Sequence, residues 1–355
     1  MKTKIFMLMI ACLLTNAIAQ AQVFVIERGA STSLTFDNIK SAVDALQDND
    51  CLYIPPGVFS LTGYTWTGYN GTINSTNTLC VNKKVSIFGA GYNSGNNSTI
   101  ITGGNLVLGK NAGGSLITGI NFNNSSNLSL SDVSNCIVSR CKFGSGGIQL
   151  CGIGNNINIS ECEIANIFYN SGLDTSSASN MPASFSKCIF STTIGYYNFQ
   201  FASVSNSLFL QMGTLYITNS SFSNNIFIVS NTTTNTNYNM NYLSTSNNTF
   251  TNNLWVGGYP SSGASYNNTF TNEIIKETYA NAFVDPANGN YHLKDVCIGK
   301  NAGSDGTDVG IFGTVMPFKE SRLPSVPYFK TKVISPETDA AGKLPVYIQI
   351  EAQDR

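Results

Sequence analysis

Along the middle of this chain one short phrase keeps returning, and it restricts the fold more than any other feature. It reads Ile117, Thr118, Gly119, Ile120, Asn121, Phe122, then Val138, Ser139, Arg140, Cys141, Lys142, Phe143. Copies follow at 159–164, 185–190, 204–209 and 222–227, and looser ones end at Phe250 and Phe270. A period of about twenty residues is that of a solenoid coil, a unit that buries its apolar face only by stacking on its neighbours. Within the phrase the apolar positions are not evenly spaced. A plain strand would alternate with a period of two, but here Val138, Cys141 and Phe143 leave one extra residue. Each coil therefore turns a corner at Ser139 and Arg140 and runs on with Cys141 and Phe143 inward.

Stacked in register, the fourth position becomes an inward column of Ile120, Cys141, Cys162, Cys188, Ser207 and Asn225, with Asn248 and Asn268 expected to extend it. Asparagines in such a column can hydrogen-bond one another and so satisfy buried amides. Parallel strands lie about 4.8 Å apart, wider than the Cβ separation of about 3.8 Å that a disulfide prefers. The cysteines of the column therefore read as buried thiols acting as small apolar residues.

The first 21 residues carry Lys2 and Lys4, an apolar run from Ile5 to Leu14, and small residues at Ala17, Ala19 and Ala21. That pattern predicts a secretory signal peptide, too short to span a bilayer. Residues 22–62 are expected to form an N-terminal cap, 63–315 the solenoid, and 316–355 a C-terminal tail or cap. Only 11% of residues are charged and the net charge is -1, so neither nucleic acid nor an anionic membrane is an expected partner. Residues 188–272 contain no charged side chain at all.

Near the N-terminus, Phe36, Ile39, Val43 and Leu46 fall on one face of a helix expected over 35–46, with Thr35 as its N-cap. Ile39, Ala42 and Val43, followed by residues 50–59, resemble the entry of the right-handed parallel β-helix proteins of the pectate-lyase-like superfamily. Residues 85–92 and 99–101 resemble that family's first full coils, and 283–286, 290–293 and 308–313 its closing segment. The likeness spans nearly all of 35–313. It implies an all-β, right-handed parallel β-helix with an N-terminal amphipathic helix cap, exported, and associated with polysaccharide. Enzymes of the family cleave acidic polysaccharides with calcium-binding carboxylates and an Arg or Lys base, or hydrolyse glycosides with acidic residues on adjacent coils.

Such chemistry needs grouped charges, and the body holds few. Arg140, Glu161 and Lys187 occupy one corner position on successive coils, with Lys142 and Glu163 two residues further on. They read either as an alternating ion-pair ladder or as a site, in which Glu161 and Glu163, with Asp174 from an insertion over 169–181, serve as acid or Ca2+ ligands. Arg140, Lys142 or Lys187 would then be a base or a substrate clamp. His292 is the single histidine, and its place in the closing segment gives it a structural reading. Tyr169, Tyr196, Tyr197 and Trp255 are candidate sugar-stacking rings. The expected function is that of a secreted, non-catalytic, carbohydrate-associated or glycan-binding protein. The alternatives are a polysaccharide lyase or glycoside hydrolase, and a structural or adhesive surface protein.

Overall fold

The structure, a computed structural model, describes residues 23–67, 74–92, 98–123, 125–170, 180–191, 196–210, 214–229, 236–238, 245–260, 267–322, 328–334, 338, 341–343 and 346–351. Three long sheets, of 12, 10 and 8 strands, surround one apolar interior. We call these the first, second and third sheets. A coil visits them in turn. Ile137–Ser139 lies in the first, Lys142–Phe143 in the second and Ile148–Cys151 in the third, before Ile157–Ser160 returns to the first, parallel to Ile137–Ser139. This is the parallel β-helix that the repeat predicts.

Register stacks like on like. In the first sheet the inward row runs Ile117, Val138, Ile159, Phe185, Val204, Phe222, Phe250, Phe270. In the second it runs Phe122, Phe143, Ile164, Phe190, Phe209, Phe227, Trp255. Ring centroids in the upper part of that second row sit 4.3 to 4.6 Å apart, stacked, an arrangement that contributes about 0.5–1.5 kcal/mol per pair beyond burial. Phe250 and Phe270 thus belong one sheet earlier than the phrase suggests. The row that ends each phrase continues instead into Trp255.

Two corners share one device. Between the first and second sheets the backbone enters the left-handed region at Gly119 (φ 74°), Arg140 (50°), Glu161 (53°), Lys187 (53°), Asn206 (48°), Asn224 (53°), Asn252 (58°) and Asn272 (54°). Between the third and first sheets it does so at Asn156 (53°), Phe201 (54°), Asn219 (51°) and Asn247 (58°), and Asn267 (57°) stands in the equivalent place before the last strand of the first sheet. Asparagine tolerates this conformation because its short amide bonds locally, whereas other side chains pay about 1–2 kcal/mol.

The residue after a corner points inward, and where it is Ser or Asn its side chain bonds to the backbone of the coil before it. The Ser207 amide donates to Asn225 Oδ1 at 2.9 Å, and the Asn225 amide donates to Asn253 Oδ1 at 2.9 Å. Asn253 in turn donates to the Glu273 carboxylate at 3.2 Å. Asn248 and Asn268 do not extend this column. They form a second one at the other corner, where Ser220 N donates to Asn248 Oδ1 at 2.9 Å and Asn248 N to Asn268 Oδ1 at 3.1 Å. Lower down, Cys141, Cys162 and Cys188 are buried and unpaired. The Cys141 amide donates to Cys162 Sγ at 3.4 Å.

The N-terminal edge of the first sheet is an antiparallel hairpin, Phe24–Arg28 with Thr32–Phe36, paired to Cys51–Tyr53. Thr35 and Phe36 therefore lie in a strand, and helix α1 (Ile39–Asp44) is shorter than expected. Its N-cap is Asn38, whose side chain accepts from Ser41 N at 2.8 Å, in place of Thr35. Sheet pairing claims residues 35 and 36, and Asn is the stronger cap. Ile39, Ala42 and Val43 are buried against the interior. Beneath them burial works against the Asp50 carboxylate. Hydrogen bonds from Arg28 and Gln47 N outweigh that effect and hold its pKa below the ordinary range.

At the other end the chain doubles back over the outer face of the second sheet. Phe283, Leu293, Val309, Ile311 and Phe318 pack against Ile189, Leu208, Ile226, Leu254 and Val256, making a second apolar core. Farther on, Tyr328–Ile334 and Val346–Glu351 pair antiparallel with each other.

Candidate functional site

The charged corner resolves into separate ion pairs. Arg140 Nε lies 2.9 Å from Glu161 Oε2, and Lys142 Nζ 2.7 Å from Glu163 Oε1. The second oxygen of Glu163 accepts from Arg322 Nη1 at 3.1 Å. The Arg322 guanidinium also sits over the rings of Tyr92 and Phe318, 5.4 and 5.8 Å from their centroids. Glu163 thereby ties the returning C-terminal segment to the body. Arg140, Glu161 and Lys187 all stand in left-handed corner positions.

A calcium ion takes about six to eight oxygen ligands. Glu161 and Glu163 each answer a cation, and no three His, Cys, Asp or Glu side chains converge among the described residues. This donor set does not fit calcium. Asp174 lies outside the described residues. His292 stacks on Phe312, with centroids 3.7 Å apart, and faces Glu320 at 3.4 Å.

The aromatic candidates divide. Trp255 is fully buried between Phe227 and Phe250, and its Nε1 donates to Glu273 Oε2, so it presents no ring to a ligand. Tyr169 belongs to the strand Ile167–Asn170 rather than to a loop, and its half-buried ring packs on the interior. Burial raises the pKa of its phenol. Tyr196 and Tyr197 lie in the strand Tyr196–Gln200, and their side chains fall outside the described residues.

A different surface emerges on the outer side of the first sheet. Alternation turns Ser184, Ser203, Ser221, Thr249 and Thr269 outward in one exposed row, aligned strand to strand. Two residues on, Ser186, Ser205, Ser223, Thr251 and Thr271 form a second row in the same register. By strand geometry the rows step by about 4.8 Å along the axis and stand about 6.6 Å apart. The face is thus roughly 19 Å long over five coils.

One border is an exposed asparagine ladder, in which Asn247 Nδ2 donates to Asn219 Oδ1 and Asn267 Nδ2 to Asn247 Oδ1, both at 3.3 Å. Below it, in the same corner position, Phe201 exposes 47% of its surface. Phe201, Ser203, Asn219, Ser221, Asn247 and Thr249 line a shallow hollow of about 420 Å³. The other border is Asn224 and Asn252, bonded to Ser304 and Ala302 of the returning segment. The signal in the sequence was the repeated Ser-x-Ser or Thr-x-Thr around the inward residues Phe185, Val204, Phe222, Phe250 and Phe270 of the first sheet.

No protein-family model and no curated protein matches the chain. Among solved structures it is similar to the crystal structure of pectate lyase Pel9A, with 11% identity over 76% of this chain and 89% of that one and a TM-score of 0.37. No helix among the described residues is long and apolar enough to cross a membrane.

Proposed function

We propose that this chain is a secreted, non-catalytic, carbohydrate-associated protein that binds neutral glycan on the outer face of its first sheet. The observation that carries the reading is the pairing of two facts. The hydroxyl face with its Asn borders lies almost wholly within the charge-free stretch 188–272, while the acidic residues that a lyase or hydrolase would need are held by Arg140, Lys142 and Arg322. Hydroxyls and amides both donate to and accept from sugar hydroxyls, and an exposed ring beside them supplies an apolar platform. Phe201 occupies that place. Secretion follows from the leader at 1–21, and a bacterial exterior supplies the polysaccharide.

The test is a panel of neutral and acidic glycans, with release of reducing ends and unsaturated products followed alongside. Binding to neutral glycans without product release is expected. Depolymerisation abolished by Glu161→Gln or Lys187→Ala would replace this reading with the enzyme one.

A further inference from the structure

We infer that the Ser/Thr face recognises the ordered surface of an insoluble neutral polysaccharide, and not a single soluble chain. The inference rests on the glycan reading and adds the physical state of the ligand to it. The ten hydroxyls of the two rows share three properties. They stand at a fixed lattice imposed by strand register. They sit on short side chains, so among the described residues the face is flat, and the hollow beside Phe201 is shallow. Protein groups satisfy the neighbouring Asn ladders, whereas among the described residues the face hydroxyls make no such side-chain bonds.

A flat array suits some ligands badly. A lone flexible chain must lose its conformational freedom to lie along it, and ordering costs of that kind are subtracted from affinity. Each hydroxyl contact returns only about 0.5–1.5 kcal/mol, and among the described residues no wall encloses the chain to exclude water. A polymer face that is already ordered pays no such cost and meets many hydroxyls at once, so the weak contacts add. The absence of charge over 188–272 complements a neutral surface and disfavours an acidic one.

The experiment is a pull-down of the full secreted chain on microcrystalline cellulose and crystalline chitin, each compared with its swollen amorphous form and with soluble oligosaccharides. The wild-type chain is expected to bind the crystalline form at least about tenfold more tightly than the soluble one. Ser221→Lys combined with Thr249→Lys is expected to lower binding about tenfold, the equivalent of one or two lost contacts. Ser203→Thr combined with Ser221→Thr, which keeps the hydroxyls, is expected to bind as wild type. Circular dichroism of each variant separates lost binding from lost folding, and the wild-type ratio stands whatever the variants do.

Equal binding to soluble and crystalline forms, or binding that the two lysines leave unchanged, overturns the inference while leaving glycan binding intact. Retention on ice crystals with none on polysaccharide also overturns it, by assigning the face to a water lattice. Binding to no carbohydrate in any form removes both readings.

Discussion

The inward column at the corner between the first and second sheets changes chemistry half-way up. In the lower coils it is Cys141, Cys162 and Cys188, buried thiols that accept or donate weakly. In the upper coils it is Ser207, Asn225 and Asn253, closed by Glu273, in which each side chain accepts from a backbone amide of the previous coil. The geometry is the same in both halves. The lower half fills the position with polarizable volume and the upper half with hydrogen bonds, so one backbone solution admits two energetic ones. The corner position beside the column changes with it, from Arg140, Glu161 and Lys187 to Asn206, Asn224 and Asn252.

Variants that cross the two halves test this contrast. The largest effect is expected from Asn225→Ala, which strands Ser207 N and Val204 O and leaves Asn253 Oδ1 with only the backbone amide of residue 225 as donor. Each buried unsatisfied group costs about 1–3 kcal/mol, so denaturant unfolding should report a loss of about 3 kcal/mol or more. A smaller effect concerns Glu273. Burial raises its pKa above the ordinary carboxylate range, opposed in part by bonds from Trp255 and Asn253. Its folded-state value then exceeds the unfolded one, so its contribution is fully present below about pH 4.3 and is lost as pH rises through the folded pKa. Melting temperature followed upward from about pH 4 should fall more steeply in the wild type than in Glu273→Gln.

Cys162→Ser should change stability by no more than about 1 kcal/mol, because Ser207 shows that the position accepts a hydroxyl bonded on both sides. A loss of several kcal/mol there would mean that the thiols contribute more than volume. Lys187→Asn should stabilise by about 0.5–1 kcal/mol by easing the left-handed corner, as should Phe201→Asn. The second of these should also weaken glycan binding, which a purely structural Phe201 would not do.

Much of this architecture was legible in the residues. The extra residue between Val138 and Cys141 signals the corner, and the column from Ile120 to Asn225 follows from it directly. The assignment slipped above Asn225 because both corners there carry an Asn-Asn pair, Asn247-Asn248 and Asn252-Asn253, each followed closely by an inward apolar residue. Only strand pairing separates them. That slip placed Phe250 one sheet too far along and left Trp255 looking like a surface ring, although it continues the row of Phe209 and Phe227. The hydroxyl face was harder to see, since Ser and Thr next to a turn have a sufficient local explanation. Their two-row alignment exists only once five coils are stacked. Arg322 was hidden for another reason, because its partner Glu163 is 159 residues away and no local pattern encodes that contact.

The central claim is that the first sheet's hydroxyl face carries the function while the acidic corner is structural. Its most direct test measures polysaccharide binding and product release together for the wild type, Ser221→Lys with Thr249→Lys, and Glu161→Gln. The account predicts binding without products, binding lost in the lysine variant, and wild-type binding in Glu161→Gln. Product release that vanishes with Glu161→Gln, together with binding indifferent to the two lysines, would contradict it.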